Sequence, residues 1–257
     1  MTQTPGGPNA GRLPLITLPP EIEERLARFD GVARVGRVLA VTGTIIRAEL
    51  PEVRIGEVCR IKRPGQPDLD VEVVGFDRSG VILMALGTLE GVETGAVVSP
   101  AGKVHSTAAG PEVRGRVLDA LGRPIDDKGS LGIEERAPLS AVPPHPLKRR
   151  RIREVMATGV RAIDACLTVG RGQRIGIFAA PGVGKSSLLS MIARYVQADM
   201  IVLALIGERG REVAGFIEDD LGPEGLKRAA VVVSTSDQPA LLRLKAAHTA
   251  LAIAEAA

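Results

Sequence analysis

An apolar run from Arg174 to Ala179 leads into Ala179-Ala180-Pro181-Gly182-Val183-Gly184-Lys185-Ser186, and a helical pattern of apolar residues begins at Lys185. A buried strand, a glycine-rich loop and a helix in that order make one βα unit of a parallel sheet. Gly182 and Gly184 permit backbone conformations that turn successive N–H groups toward a single anion. The helix start adds the positive end of its dipole. Lys185 can then reach the β- and γ-phosphates of a nucleotide, and the Ser186 hydroxyl can ligate Mg²⁺. The predicted nucleotide contacts are Pro181, Gly182, Val183, Gly184, Lys185, Ser186 and Ser187. Ala179 stands at the first glycine of the usual pattern, where a small residue is needed more than a glycine. The bland alternative is a turn before a helix that contains Lys and Ser by chance, and the strand–loop–helix context argues against it.

Downstream, strand and helix patterns alternate. Lys185–Val196 reads as a helix with Leu188, Leu189, Ile192 and Val196 on its inner face. Met200–Ile206 is continuously apolar, as in a central parallel strand covered on both faces. Arg211–Leu221 reads as a helix broken by Gly222, Pro223 and Gly225. Ala229–Thr235 is a second strand, and Asp237 and Pro239 open a last helix, Ala240–Ala257. Ligands of open α/β sheets sit at the carboxyl ends of strands, which draws attention to Gly207-Glu208-Arg209-Gly210-Arg211-Glu212-Val213. Glu208 is a candidate to orient the attacking water, and Glu212 to hold a Mg²⁺-bound water. A charged strand exit followed by an acidic helix start is the alternative reading. Asp237 follows three hydroxyl residues and reads as a helix cap, not as a Mg²⁺-holding Asp.

Residues 31–99 have a different texture: short β-rich runs at Arg37–Val41, Thr44–Leu50, Glu57–Lys62, Val71–Phe76, Val81–Leu86 and Ala96–Val98. Pro and Gly punctuate them and no helical pattern intervenes, which predicts a small closed β-barrel. Residues 1 to about 20 read as a flexible tail, and Pro20–Phe29 as a short helix with Ile22, Leu26 and Phe29 on one face. Between the barrel and the βα units, Gly115–Asp126 reads as a strand, a Gly-Arg-Pro turn and an acidic exit. Aromatic residues are 2% of the chain, so its cores must be built from Val, Ile, Leu and Ala.

The net charge of +3 is spread along the chain, with one dense run at Lys148–Arg151 that reads as an exposed linker. Cys59 and Cys166 lack metal-ligand spacing and read as buried, reduced thiols, and the three histidines form no ligand cluster. The N-terminus has no signal-peptide core, and no apolar run approaches the ~20 residues of a membrane span, so the expected location is cytoplasmic.

Three segments together, Gly170–Ser186, Ala204–Val213 and Thr235–Arg243, resemble the export ATPases of type III secretion systems, relatives of the catalytic β subunit of F-type ATP synthases. The likeness runs from about residue 30 to 254. Val98–His105, ahead of Gly115–Asp119, looks more like the injectisome branch than the flagellar one. The resemblance implies an α/β chain with an N-terminal small β-barrel followed by a RecA-like P-loop NTPase domain. The domains so implied are 1–28 tail and short helix, 29–100 barrel, and 101–257 ATPase domain, incomplete at its C-terminal end. It implies ATP and Mg²⁺ as cofactors. Lys185, Glu208 and Arg209 match the family's catalytic residues, and Ser186 its Mg²⁺ ligand. Implied partners are further copies in a homohexamer, stalk and stator proteins, and chaperone–effector complexes, with peripheral contact at the cytoplasmic face of the inner membrane and no nucleic acid. Ala214-Gly215 departs from the charged residues usual in that helix. The family continues beyond Ala257 with the Mg²⁺-coordinating Asp and an arginine finger, so the chain reads as a partial protein that binds nucleotide weakly and turns it over poorly.

Two other readings compete. A motor resembling the Rho transcription-termination factor would also join a barrel to a RecA-like domain. Single-strand-binding barrels stack bases on aromatics, however, and residues 31–99 offer only Phe76. The other reading is a non-catalytic fragment that keeps nucleotide binding or oligomer contacts alone.

Overall fold

A computed structural model describes residues 19, 22, 34–133, 136–180 and 182–257. The predicted tail and first helix lie outside these, apart from Pro19 and Ile22. The β-rich texture forms a closed barrel of six strands: β1 (Gly36–Thr42), β2 (Ile45–Glu49), β3 (Glu57–Ile61), β4 (Leu69–Asp77), β5 (Gly80–Ala85) and β6 (Val97–Val104), in the order β1-β2-β5-β4-β3-β6. Every pairing is antiparallel. Alternation fills the barrel: Leu69, Val71 and Val73 of β4 join Ile46, Ile61, Leu83 and Val98 in its core. Asp70 and Glu72 consequently point away from that interior. Cys59 lies inside, and burial, with Glu57 nearby, pushes its thiol up to about 12, so it is inert at neutral pH. Cys166, expected to be buried, is exposed. It sits on a short helix whose residues are none of them buried.

Past the barrel, β7 (Ser106–Ala108) pairs with β9 (Arg136–Pro138), and β8 (Val117–Leu118) turns back through Pro124. Arg116 and Asp126 close this turn with hydrogen bonds of 2.8 and 2.9 Å. The guanidinium and the Val117 and Lys128 amides hold the Asp126 carboxyl far below the ordinary carboxylate range. Gly122 occupies the turn at φ +75, where an added Cβ would collide with the Thr107 hydroxyl.

The βα region has helices α1 (Arg161–Cys166), α2 (Lys185–Tyr195), α3 (Gly210–Gly215), α4 (Gly222–Lys227) and α5 (Ala240–Ala256) and strands β10 (Ile201–Ile206) and β11 (Ala229–Ser234). The sheet order is β10-β11-β8, all parallel. The two faces of β11 divide by parity. Ala230 and Val232 meet α5, whereas Ala229, Val231 and Val233 meet Ala193 of α2 and Val213, Phe216 and Leu221.

Several expectations are corrected. Among the described residues β10 lies at the sheet edge and β11 is the fully buried central strand, because an apolar run signals cover but does not say which strand has neighbours on both sides. Arg174–Ala179 is not a strand: it is unpaired among the described residues, and Phe178 is 97% exposed. A strand needs a hydrogen-bonding neighbour, and among the described residues neither outer edge of the β10-β11-β8 sheet pairs with this segment. The predicted helix 211–221 becomes α3 followed by a π-helical turn, Phe216–Leu221. Gly222 and Pro223 start α4 instead of ending the helical region, with Pro favoured in the first turn. Asp237 does not cap α5. Pro239 holds the cap position without a side-chain bond, and Thr235 lowers the Asp237 carboxyl's affinity for protons.

Lys245 on α5 joins the two regions. Its Nζ lies 2.8 Å from Glu72 Oε1 and 2.7 Å from Oε2, and both residues are buried. The angles allow a hydrogen bond to Oε1 alone, so Oε2 has only the Coulombic contact. Thr249 Oγ1 donates 2.7 Å to the Ala120 carbonyl one turn further on.

His105 lies nearby. Burial lowers it from 6.5 to about 4, and Lys245 and Arg123 add to the effect. The unfolded chain then takes up this proton before the fold does. The contribution of neutral His105 to stability is complete above pH 6.5 and is lost as pH falls toward 4. Urea midpoints should decline between pH 6.5 and 4 and be flat from 7 to 8. His105→Asn should flatten the decline above pH 5, and an unchanged slope in that variant would contradict the assignment.

Candidate nucleotide site

Gly182 and Gly184 have φ +80 and +97, left-handed conformations that turn the loop into α2. Gly184 is the N-cap of α2 and its carbonyl accepts from Leu188 N at 2.9 Å, so Lys185 and Ser186 occupy the first turn. Val183 N donates to the Ala180 carbonyl at 3.4 Å. Pro181 lies outside the described residues, and Ser187 lies in the same exposed first turn.

The opposite wall comes from the strand exits. Gly207 N donates 2.7 Å to the Ser234 carbonyl, and Ser236 N donates 3.0 Å to the Glu208 carbonyl, which fastens the ends of β10 and β11 together. Arg209 is the N-cap of α3, and its Nη1 lies 3.3 Å from Glu212 Oε1. This pair is exposed and one helical turn apart, worth under about 1 kcal/mol, so it only loosely orients Arg209.

Lys185, Ser186, Glu208 and Glu212 line one cavity of about 410 Å³, a size suited to a small ligand. Arg209 is not on its wall. Asp219, Asp220 and Phe216 also line the cavity, and sequence reasoning missed them. The signal was present: 219 and 220 fall seven and eight residues after Glu212, two helical turns along one face. Arg194 Nη2 donates 2.8 Å to the Asp219 carbonyl, which ties α2 to the π-helical turn.

Among the described residues no group of three or more His, Cys, Asp and Glu side chains is placed to hold a metal. The donors facing the cavity are a hydroxyl and carboxylates, which suit a hard cation completed by water and phosphate oxygens. No helix among the described residues is long and apolar enough to cross a membrane.

Residues 159–257 match the ATP synthase alpha/beta family, nucleotide-binding domain. The chain is 50% identical over 230 residues to the flagellum-specific ATP synthase of Bacillus subtilis (strain 168), covering 88% of this chain and 52% of that protein. It is 46% identical over 230 residues to the type 3 secretion system ATPase of Sinorhizobium fredii, covering 89% of this chain and 51% of that protein. The assembled ATPase EscN of the enteropathogenic E. coli type III secretion system superposes with a TM-score of 0.78 at 45% identity, over 86% of this chain and 53% of EscN. The chain therefore spans about half the length of the curated relatives it matches. Relatives from both the flagellar and the secretion branches lie at similar identity. By sequence and by fold, the chain is similar to type 3 secretion system ATPases and flagellum-specific ATP synthases over about half of their length, and its residues 159–257 match the nucleotide-binding domain of the ATP synthase alpha/beta family.

Proposed function

We propose that this chain supplies the barrel and the phosphate-binding half of an ATP-hydrolysing motor that energises protein export. The observation that carries the reading is the single cavity shared by Lys185 and Ser186 on one wall and Glu208 and Glu212 on the other. Lys185 and the first-turn amides of α2 bind the phosphates. Glu208 accepts a hydrogen bond from the attacking water and orients it, and Arg209, off the cavity wall, adds positive charge behind Glu212. Ser186 and, through water, Glu212 would hold Mg²⁺, which neutralises phosphate charge when bound.

EscN has been solved assembled and in complex with its central stalk EscO. On that likeness this chain's partners are further copies of itself and a stalk protein, and the family resemblance adds a ring of six and a stator. Cargo would arrive as chaperone–effector complexes, to be released and unfolded at the cytoplasmic face of the inner membrane. The test is Mg-ATP turnover by the 257-residue chain across protein concentrations. A specific rate that climbs with concentration is the expected result for sites completed between copies. A chain that neither binds nor hydrolyses Mg-ATP at any concentration would reject the reading.

A further inference from the structure

A second cavity, of about 830 Å³, opens where the barrel wall meets the connecting strands, and it contains none of the residues of the nucleotide site. Its charged lining residues, among those described, are Arg60, Lys103, Arg123 and Arg136 against the single carboxylate of Asp70. The barrel register makes this arrangement. Arg60 and Asp70 are direct cross-strand partners on β3 and β4, on the outward face, and bond at 3.4 Å. Arg123, at the tip of the β8 turn, reaches across to the same carboxylate at 3.0 Å. Arg136 of β9 donates to the carbonyl and hydroxyl of Ser106. Lys103 makes no ion pair or hydrogen bond among the described residues.

Among the described residues, one carboxylate thus serves two guanidiniums, while Lys103 and Arg136 on the wall pair with no anion. Like charges converging on a concavity repel one another unless a counter-charge enters. The His105 ring also lines the cavity, and its Nε2 is buried without a hydrogen-bond partner. Val58, Leu121 and Ile133 give the remaining wall an apolar character that a bare ion would leave unused.

We propose that this cavity binds a small organic phosphate, with its phosphate among Lys103, Arg123 and Arg136 and its carbon body against the apolar wall. The site does not depend on the nucleotide reading above. It lies on the outward face of β4 that also carries Glu72, the partner of Lys245 on α5.

The experiment is calorimetric titration of the 257-residue chain carrying Lys185→Ala, which weakens the phosphate loop. The probes are inorganic pyrophosphate, inorganic phosphate and adenosine 5′-monophosphate. Saturable binding is expected, with the monophosphate nucleotide tighter than inorganic phosphate. Lys103→Glu, at a side chain that bonds nothing, should weaken it roughly tenfold or more. Arg78→Glu, elsewhere on the barrel surface, should leave it unchanged. Asp70→Asn removes the competing carboxylate found among the described lining residues and should tighten it, a sign that a merely structural aspartate would not give. Absence of saturable binding overturns the proposal, and so does binding indifferent to Lys103→Glu. Equal affinity for phosphate and the nucleotide would overturn the organic-phosphate assignment in favour of a simple ion site.

Discussion

Lys185→Ala is expected to lower the affinity for Mg-ATP roughly 10- to 100-fold, because charge-assisted hydrogen bonds to phosphate contribute about 1.5–3 kcal/mol. The loop should survive the substitution. Its shape is set by the left-handed Gly182 and Gly184, and Lys185 is exposed in the first turn of α2 with no structural bond to lose. Glu208→Gln provides the contrast. Its backbone carbonyl still receives the Ser236 amide and ties the strand ends, so binding should be retained. Its side chain can no longer orient water as a carboxylate, so any turnover should fall about 100-fold or more. Fluorescent-nucleotide titration and phosphate release on the two variants separate the roles. Equal loss of binding in both would mean that Glu208 holds the cavity together structurally.

Lys245→Met is expected to destabilise the fold by about 3–5 kcal/mol, the cost of leaving a buried charge without its partner. Glu72 faces α5 from the outward side of β4, and the pair lies within hydrogen-bonding distance and out of solvent. Its benefit relative to an apolar pair is a different quantity. Two ions withdrawn from water offset much of their own attraction, so the double replacement Glu72→Leu with Lys245→Met should recover most of the loss. Urea unfolding of the two single variants and the double gives the coupling directly. A single-variant loss below about 1 kcal/mol would mean that water reaches the pair and the seam is held by Leu241, Leu242 and Ala246 alone.

Much of the barrel was legible because its signal is local. Alternating residues such as Leu69, Val71 and Val73, bounded by turn residues, define strands without reference to anything distant. The glycine-rich loop was legible for the same reason: Gly182, Gly184, Lys185 and Ser186 lie within five residues, and the turn into a helix follows from their spacing. Glu208 and Glu212 could be listed as candidates, but their convergence with Lys185 required the β10–β11 strand ends to be fastened beside α2.

What the sequence by itself determined, then, is the barrel strands and the glycine-rich loop with the helix that follows it, since both are written in stretches of a dozen residues or fewer. Tertiary structure decided which strand is central, that Arg174–Ala179 has no partner among the described residues, and that a lysine on the last helix meets a glutamate on the barrel. Those outcomes depend on which backbone edges and charges meet over separations of up to 173 residues, and hydrophobic pattern along one segment carries no information about the neighbour that segment will find.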